Sequence, residues 1–237
     1  LTLNRNKKSV AIDLKSDAGR ELFYELVKTS DVVLTNFSMG VTERLGIDHD
    51  TLAKHNPRII TCAISGFGET GPNRKHVSFD MVAQGTGGGM SITGDPEGPP
   101  TRSGIPIGDL GGGLMATIGV LSALQARSVT GRGQHVDISM QDAQISMLNY
   151  MATMYFLSGQ VPGALANGHF VHVPYDTFPA NDGWFIIAVI LDRFWLSLMQ
   201  IVDAPDLDTP ENEGQPGRMA NKALINARLS EIFQTES

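Results

Sequence analysis

Between Ser9 and Leu14 the apolar residues Val10, Ile12 and Leu14 alternate with Ser9 and Asp13. A two-residue period of this kind predicts a half-buried strand. Ser16-Asp17 offers a helix start, and AGRELFYELVKTS carries Leu22, Leu26 and Val27 on one side, as an amphipathic helix does. DVVLTNF (31–37) is a short apolar run that ends polar, the pattern of a buried parallel strand. DHDTLAKH (48–55) predicts a short helix, and PRIITCAISGFG (57–68) the next strand. The β-α-β-α-β order implies an α/β fold with a doubly wound parallel sheet. Such sheets bind ligands beyond the carboxyl ends of their strands. Asn36-Phe37 and Ser65-Gly66-Phe67-Gly68 stand there.

Glycine-rich loops follow at 85–90 and 94–100, then an apolar helix from Asp109 to about Arg127. Along it Ala116, Gly119 and Ala123 form a narrow stripe of small residues, which lets another backbone approach closely. HVDISM (135–140) predicts a strand, and residues 143–157 a helix. The texture then changes. YDTFPANDGWFIIAVI (175–190) predicts a hairpin turning at Asn181-Asp182-Gly183. A helix with Phe194, Leu198 and Ile201 comes next, and residues 205–218 read as a polar loop. The expected organisation is a large domain over 1–170 and part of a smaller α+β domain over 171–237.

The chain has 237 residues and a net charge of −7, which argues against nucleic acid or an anionic membrane as partner. The basic run Arg5, Lys7, Lys8, Lys15 and Arg20 is, on pattern alone, a solvated face. Cys62 is the only cysteine, so no intrachain disulfide forms and a reducing, cytoplasmic setting is expected. The run Leu114–Leu124 is interrupted by Gly119 and Ser122 and reads as too short to cross a bilayer. LTLNRNKKSV lacks the apolar core of a secretory signal and the usual first Met, and LSEIFQTES stops just past a helical pattern. The expectation is a piece of a longer chain.

Several chemistries fail on spacing. Ser65 follows a strand, but Ala63 and Phe67 stand where a nucleophile elbow needs glycines. GGGLMA (111–116) matches a dinucleotide fingerprint without its strand or its acid. His169 and His172 have no carboxylate near them in sequence, so no metal is expected. GIPIGDLGGGLMATIG (104–119) leaves Asp109 at the start of the apolar helix, ahead of Gly111, Gly112 and Gly113. Asp109 there is either a plain N-cap or a nucleophile held ionised by the helix start. In the second case the glycines admit an acyl carbonyl to bare backbone, whose N–H groups serve a developing oxyanion.

Seven segments in order resemble the class III CoA-transferases (the CaiB/BaiF or formyl-CoA transferase family). They are NRNKKSVAIDLK, DVVLTNFSMGVTERLG, NPRIITCAISGFGETGP, FDMVAQ, GPPTRSGIPIGDLGGG, TGRGQHVDISMQDA and YDTFPANDG. The resemblance implies a Rossmann-like large domain, a smaller α+β domain and interlocked homodimers. It also implies transfer of coenzyme A from an acyl-CoA thioester to a small carboxylic acid, with Asp109 as nucleophile. The Asp would form a mixed anhydride, then an aspartyl-CoA thioester. Ile12, Lys15, Asn36, Phe37 and Arg44 match positions that line CoA in that family. Its opening β-α unit and C-terminal part are missing. Val77 and Phe79 stand where some transferases hold CoA with Lys and Tyr. α-Methylacyl-CoA racemases of the same superfamily place a His immediately before the Asp of the FDMVAQ segment. Here that position is Phe79, with His76 the only candidate substitute. A non-catalytic CoA-binding or scaffold protein is the third reading.

Overall fold

The computed structural model describes residues 2–234. The chain forms two compact units: one built from the chain up to Ser91 with Arg102–Pro162, the other from Ile92–Thr101 and the chain from Gly163 onward. The compact units part at 162/163, beside the expected domain boundary at 170/171, and residues 92–101 belong to the second unit.

In the first unit the order is α1 (Asp17–Lys28), β1 (Val32–Thr35), α2 (Val41–Leu45), α3 (His49–His55), β2 (Ile60–Ser65), α4 (Asp80–Thr86), α5 (Ile107–Thr130), β3 (His135–Ser139), α6 (Met140–Met147) and α7 (Tyr150–Ser158). The three strands pair in parallel in the order β1-β2-β3, with Val32 opposite Ile60 and Thr61 opposite His135. Side chains alternate between the two sheet faces. Ile64 and Val136 meet α5 at Gly112 and Gly119. On the other face Val33 packs on the cluster of Val27, Ile47, Leu52 and Ile59, which α1, α3 and their loops supply. Arg127, near the end of α5, donates to Arg58 O at 2.9 Å and pairs with Asp31 at 2.7 Å. One side chain thereby fixes the approaches to β1 and β2.

In the first unit four expectations change. Residues 9–14 are not a strand; among the described residues no strand pairs with them, and the segment instead leads into the start of α1. There Ser16 accepts from Gly19 N–H at 3.1 Å, and its own N–H reaches Asp13 O. FDMVAQ holds an unforeseen helix, α4. The helix foreseen at 143–157 is two, broken at Asn149, whose φ is +49°. Finally, α5 starts at Ile107 and runs 24 residues, with mean hydropathy 1.5 over its most apolar window. By length and composition it could cross a bilayer, contrary to the expectation from 114–124. Here Ala116 and Ala123 are buried in its packing on the sheet and α6.

In the second unit the hairpin of β4 (Tyr175–Pro179) and β5 (Trp184–Ala188) is followed by α8 (Asp192–Val202), α9 (Gln215–Ala220) and α10 (Lys222–Phe233). Phe178, Trp195, Leu207, Ile225 and Leu229 form its core. Residues 205–218 are no simple polar loop: they hold a 3-10 turn and the start of α9. Arg218 is fully buried, donating to Val173 O (2.9 Å), Asn212 O (2.9 Å), Glu213 O (2.6 Å) and Asp192 (2.6 Å). A charge is tolerated in a core only when its donors are met in this way.

Candidate active site

Pro106, not Asp109, is the N-cap residue of α5, which puts Asp109 in the third helical position. Its carboxylate accepts no hydrogen bond from any described residue, and Asp109 is exposed. The helix start is capped from outside. Asp80, the first residue of α4, accepts from Gly108 N–H at 2.8 Å and more loosely from Asp109 N–H at 3.3 Å, both through Oδ1. Its Oδ2 accepts from Gln84 Nε2 at 2.8 Å, and Gln84 Oε1 accepts from Ser103 N–H at 2.9 Å. From α6, Gln144 Nε2 donates to Ile107 O at 3.0 Å. The first turn of α5 is therefore held by amide and carboxylate side chains from two neighbouring helices.

Asp109 therefore draws no direct capping bond from the helix start, unlike the plain N-cap that its place in the sequence also allowed. Local desolvation, and second the Asp80 charge, push the Asp109 carboxyl above its ordinary value. The glycines also change role. A Cβ on Gly108 would lie 2.7 Å from Asp80 O, and one on Gly111 2.5 Å from Met147 Cε. On Gly112 it would lie 3.1 Å from Met140 Cγ. Gly111 and Gly112 thus serve close packing of α5 on α6 and the sheet. Of the three consecutive glycines, a Cβ on Gly113 alone would meet no atom within 4 Å among the described residues. The N–H groups of Gly111, Gly112 and Gly113 fall inside the α5 ladder of i to i−4 bonds, so they are not bare oxyanion donors.

Asn36 lies just beyond β1 and donates to Ile64 O at 2.7 Å. Ile64 in turn touches α5 at Gly112, so Asn36 and the first turns of α5 share one support at the carboxyl end of the sheet. Phe37 beside it is 46% exposed. Arg44 is exposed on α2, while half-buried Ile12 and exposed Lys15 precede α1. No hydrogen bond or ion pair among the described residues joins Ile12, Lys15 or Arg44 to Asp109. His76 is exposed, with its ring edge-on to Phe67.

A second polar cluster escaped the sequence reading. His49 Nδ1 lies 3.0 Å from Thr61 Oγ1, which lies 2.7 Å from His135 Nδ1, and His135 Nε2 is 2.9 Å from Glu69. They line a cleft of about 280 Å³ with Val33, Thr35 and Cys62. Asp109 does not line it. Glu69 only accepts, so a neutral His135 carries its proton on Nε2. Thr61 O–H then donates to His135, and His49 Nδ1–H donates to Thr61. Burial, then the neighbouring His135, lowers the His49 pKa. Burial, then Asp137, raises that of the Cys62 thiol. Alternation along β2 and β3 could have paired Thr61 with His135; nothing local pointed to His49 or Glu69.

Among the described residues no group of three or more His, Cys, Asp or Glu is placed to hold a metal ion. A family model described as CoA-transferase family III matches residues 1–237. The chain is 38% identical over 236 residues to acetyl-CoA:oxalate CoA-transferase of Acetobacter aceti, covering 99% of this chain and 61% of that one. It is 37% identical over 234 residues to succinyl-CoA:mesaconate CoA-transferase of Haloarcula marismortui, covering 97% and 59%. A crystal structure of a CAIB/BAIF family protein from Brucella suis superposes with a TM-score of 0.87 at 35% identity, covering 99% and 62%. The chain thus spans about three-fifths of the length of the relatives it matches. On the match along its whole length and the shared fold, this chain belongs to CoA-transferase family III.

Proposed function

We propose that the protein carrying this sequence moves coenzyme A from an acyl-CoA thioester to a small carboxylic acid, with Asp109 as the covalent nucleophile. The carrying observation is the exposed Asp109 carboxylate, unspent on capping because Asp80 does that work. An Asp109 oxygen attacks the thioester carbonyl carbon, the C–S bond breaks, and CoA leaves as thiolate. The thiolate then attacks the aspartyl carbonyl of the mixed anhydride, expelling the donor acid and leaving an aspartyl-CoA thioester. The acceptor carboxylate attacks that thioester next, breaking its C–S bond to give a second mixed anhydride and CoA thiolate; the thiolate then attacks the acceptor's carbonyl carbon, forming the new acyl-CoA and releasing the free Asp109 carboxylate. A raised carboxyl pKa suits this role, since nucleophilicity rises with basicity.

In this reading Asn36 and Phe37 contact the pantetheine or nucleotide, Arg44 and Lys15 face the phosphates, and Ile12 lies on the adenine side. The charge-assisted contact of Arg and Lys with phosphate is its physical basis. Names of relatives suggest donors and acceptors: acetyl-CoA or succinyl-CoA, with oxalate or mesaconate. A homodimer in a reducing, cytoplasmic setting completes the proposal. It is supported by the exposed stripe Leu110, Leu114, Ile118 and Leu121 on α5 and by the buried lone thiol Cys62. A monomer in sedimentation of the full-length protein would remove the dimer.

The experiment is a donor–acceptor screen on the full-length protein, followed by mass spectrometry, with hydroxylamine or borohydride trapping. Expected are CoA transfer and an adduct at Asp109 that is absent from Asp109→Asn. Normal turnover by Asp109→Ala would overturn the proposal.

A further inference from the structure

We infer that Asp80 is a positioning residue for Asp109: by capping α5 from outside, it keeps the Asp109 carboxylate unbonded and in a negatively charged setting. The inference rests on the reading of Asp109 as nucleophile and deepens it.

An acid in the first turn of a helix ordinarily satisfies the free N–H groups nearby, and it becomes less basic in doing so. Asp109 is in that turn, yet Asp80 Oδ1 already holds the N–H groups of Gly108 and Asp109. Asp80 is itself fixed. Its Oδ2 is met by Gln84 Nε2, and Gln84, which is 2% exposed, is pinned by Ser103 N–H at its other end. Gly108 is needed at this spot, because a Cβ there would strike Asp80 O and Oδ1 at 2.7 and 3.0 Å. The other face of the turn, toward α6, carries Met140, Gln144 and Met147, all uncharged. Ile64 on β2 is uncharged too. Among the described residues, Asp80 is the charge that acts on Asp109 from the elements packed around it, and its sign favours the protonated form. Two acids with separate duties result: one holds the helix start and the other is left to react.

Two variants of the full-length protein separate the effects. Asp80→Asn keeps an acceptor for the helix N–H groups but removes the charge; Asp80→Ala removes both. The Asp109 carboxyl is followed by 13C NMR with labelled aspartate, its signal assigned by its loss in Asp109→Asn. Asp80→Asn should shift the Asp109 titration to lower pH, and the acid limb of kcat/KM should move with it. Asp80→Ala should lower kcat by about tenfold or more while KM for acyl-CoA changes little, as misplacement of a reacting group does. A purely structural Asp80 would lower the melting temperature without moving the titration. An unmoved Asp109 titration in Asp80→Asn overturns the inference, whether or not the protein transfers CoA. A moved titration in a protein that forms no Asp109 adduct supports the pairing of the two acids and overturns the transferase reading alone.

Discussion

Gly113 and Gly119 lie six positions apart in the same helix, yet alanine should stabilise the protein at the first site and not at the second. Each replacement gains about 1 kcal/mol of helix propensity, because Ala loses less backbone entropy than Gly. Among the described residues no atom lies within 4 Å of a Cβ added at Gly113, so the gain stands alone. At Gly119 the new methyl would sit 2.7 Å from Val136 Cγ1. Val136 is β-branched and held in β3, so it cannot swing clear, and either the helix or the strand must move. Overpacking of this sort costs about 1–3 kcal/mol. The propensity gain is common to both, so the two variants should differ by that overpacking cost alone. At about 2–4 °C per kcal/mol for a chain of this size, Gly113→Ala should melt above wild type and at least about 2 °C above Gly119→Ala. Thermal unfolding of the full-length variants by circular dichroism reads this directly. If Gly113→Ala melts below wild type, something covers that face and the reasoning is refuted. If it melts higher but transfers no CoA, the space that a Cβ would fill at Gly113 serves a ligand.

Two further outcomes follow from the buried polar groups. The folded pKa of His49 lies below its unfolded value near 6.5, so the group contributes stability that is complete above that pH. The contribution is lost as pH falls through the folded value. Melting temperature should therefore decline on acidification below about 6.5, and His49→Asn should flatten that decline; an unchanged slope would contradict the assignment. Arg218→Met removes four donated bonds from the second unit and should cost about 3–5 kcal/mol in urea unfolding. A loss under about 1 kcal/mol would mean that the three carbonyls find other partners.

Patterns with a local cause were readable. The parallel strands β1, β2 and β3, the amphipathic α1 and the hairpin of β4 and β5 all carry their period in their own residues. Ser9–Leu14 has the same alternation and no neighbour to pair with, so periodicity alone misled. The position of Asp109 ahead of three glycines was legible; what surrounds it was not. Its helix begins two residues earlier because a side chain 28 positions upstream caps Gly108. Local sequence gives Asp80 no reason to be there, since its partner is a backbone N–H on another element. Arg218 was invisible for a related reason: the acceptors that let it be buried are mostly carbonyl groups, which any residue supplies.

The row of side chains running from Glu69 through His135 and Thr61 to His49 has a built-in sense, because the carboxylate at one end can only receive. The tautomer chosen beside Glu69 is inherited three residues along. A glutamine at 69 could give as well as receive, and both rings would then be free to exchange tautomers. A natural or engineered change at position 69 therefore speaks to position 49 without touching it, and the four residues are best replaced, compared and interpreted as one set.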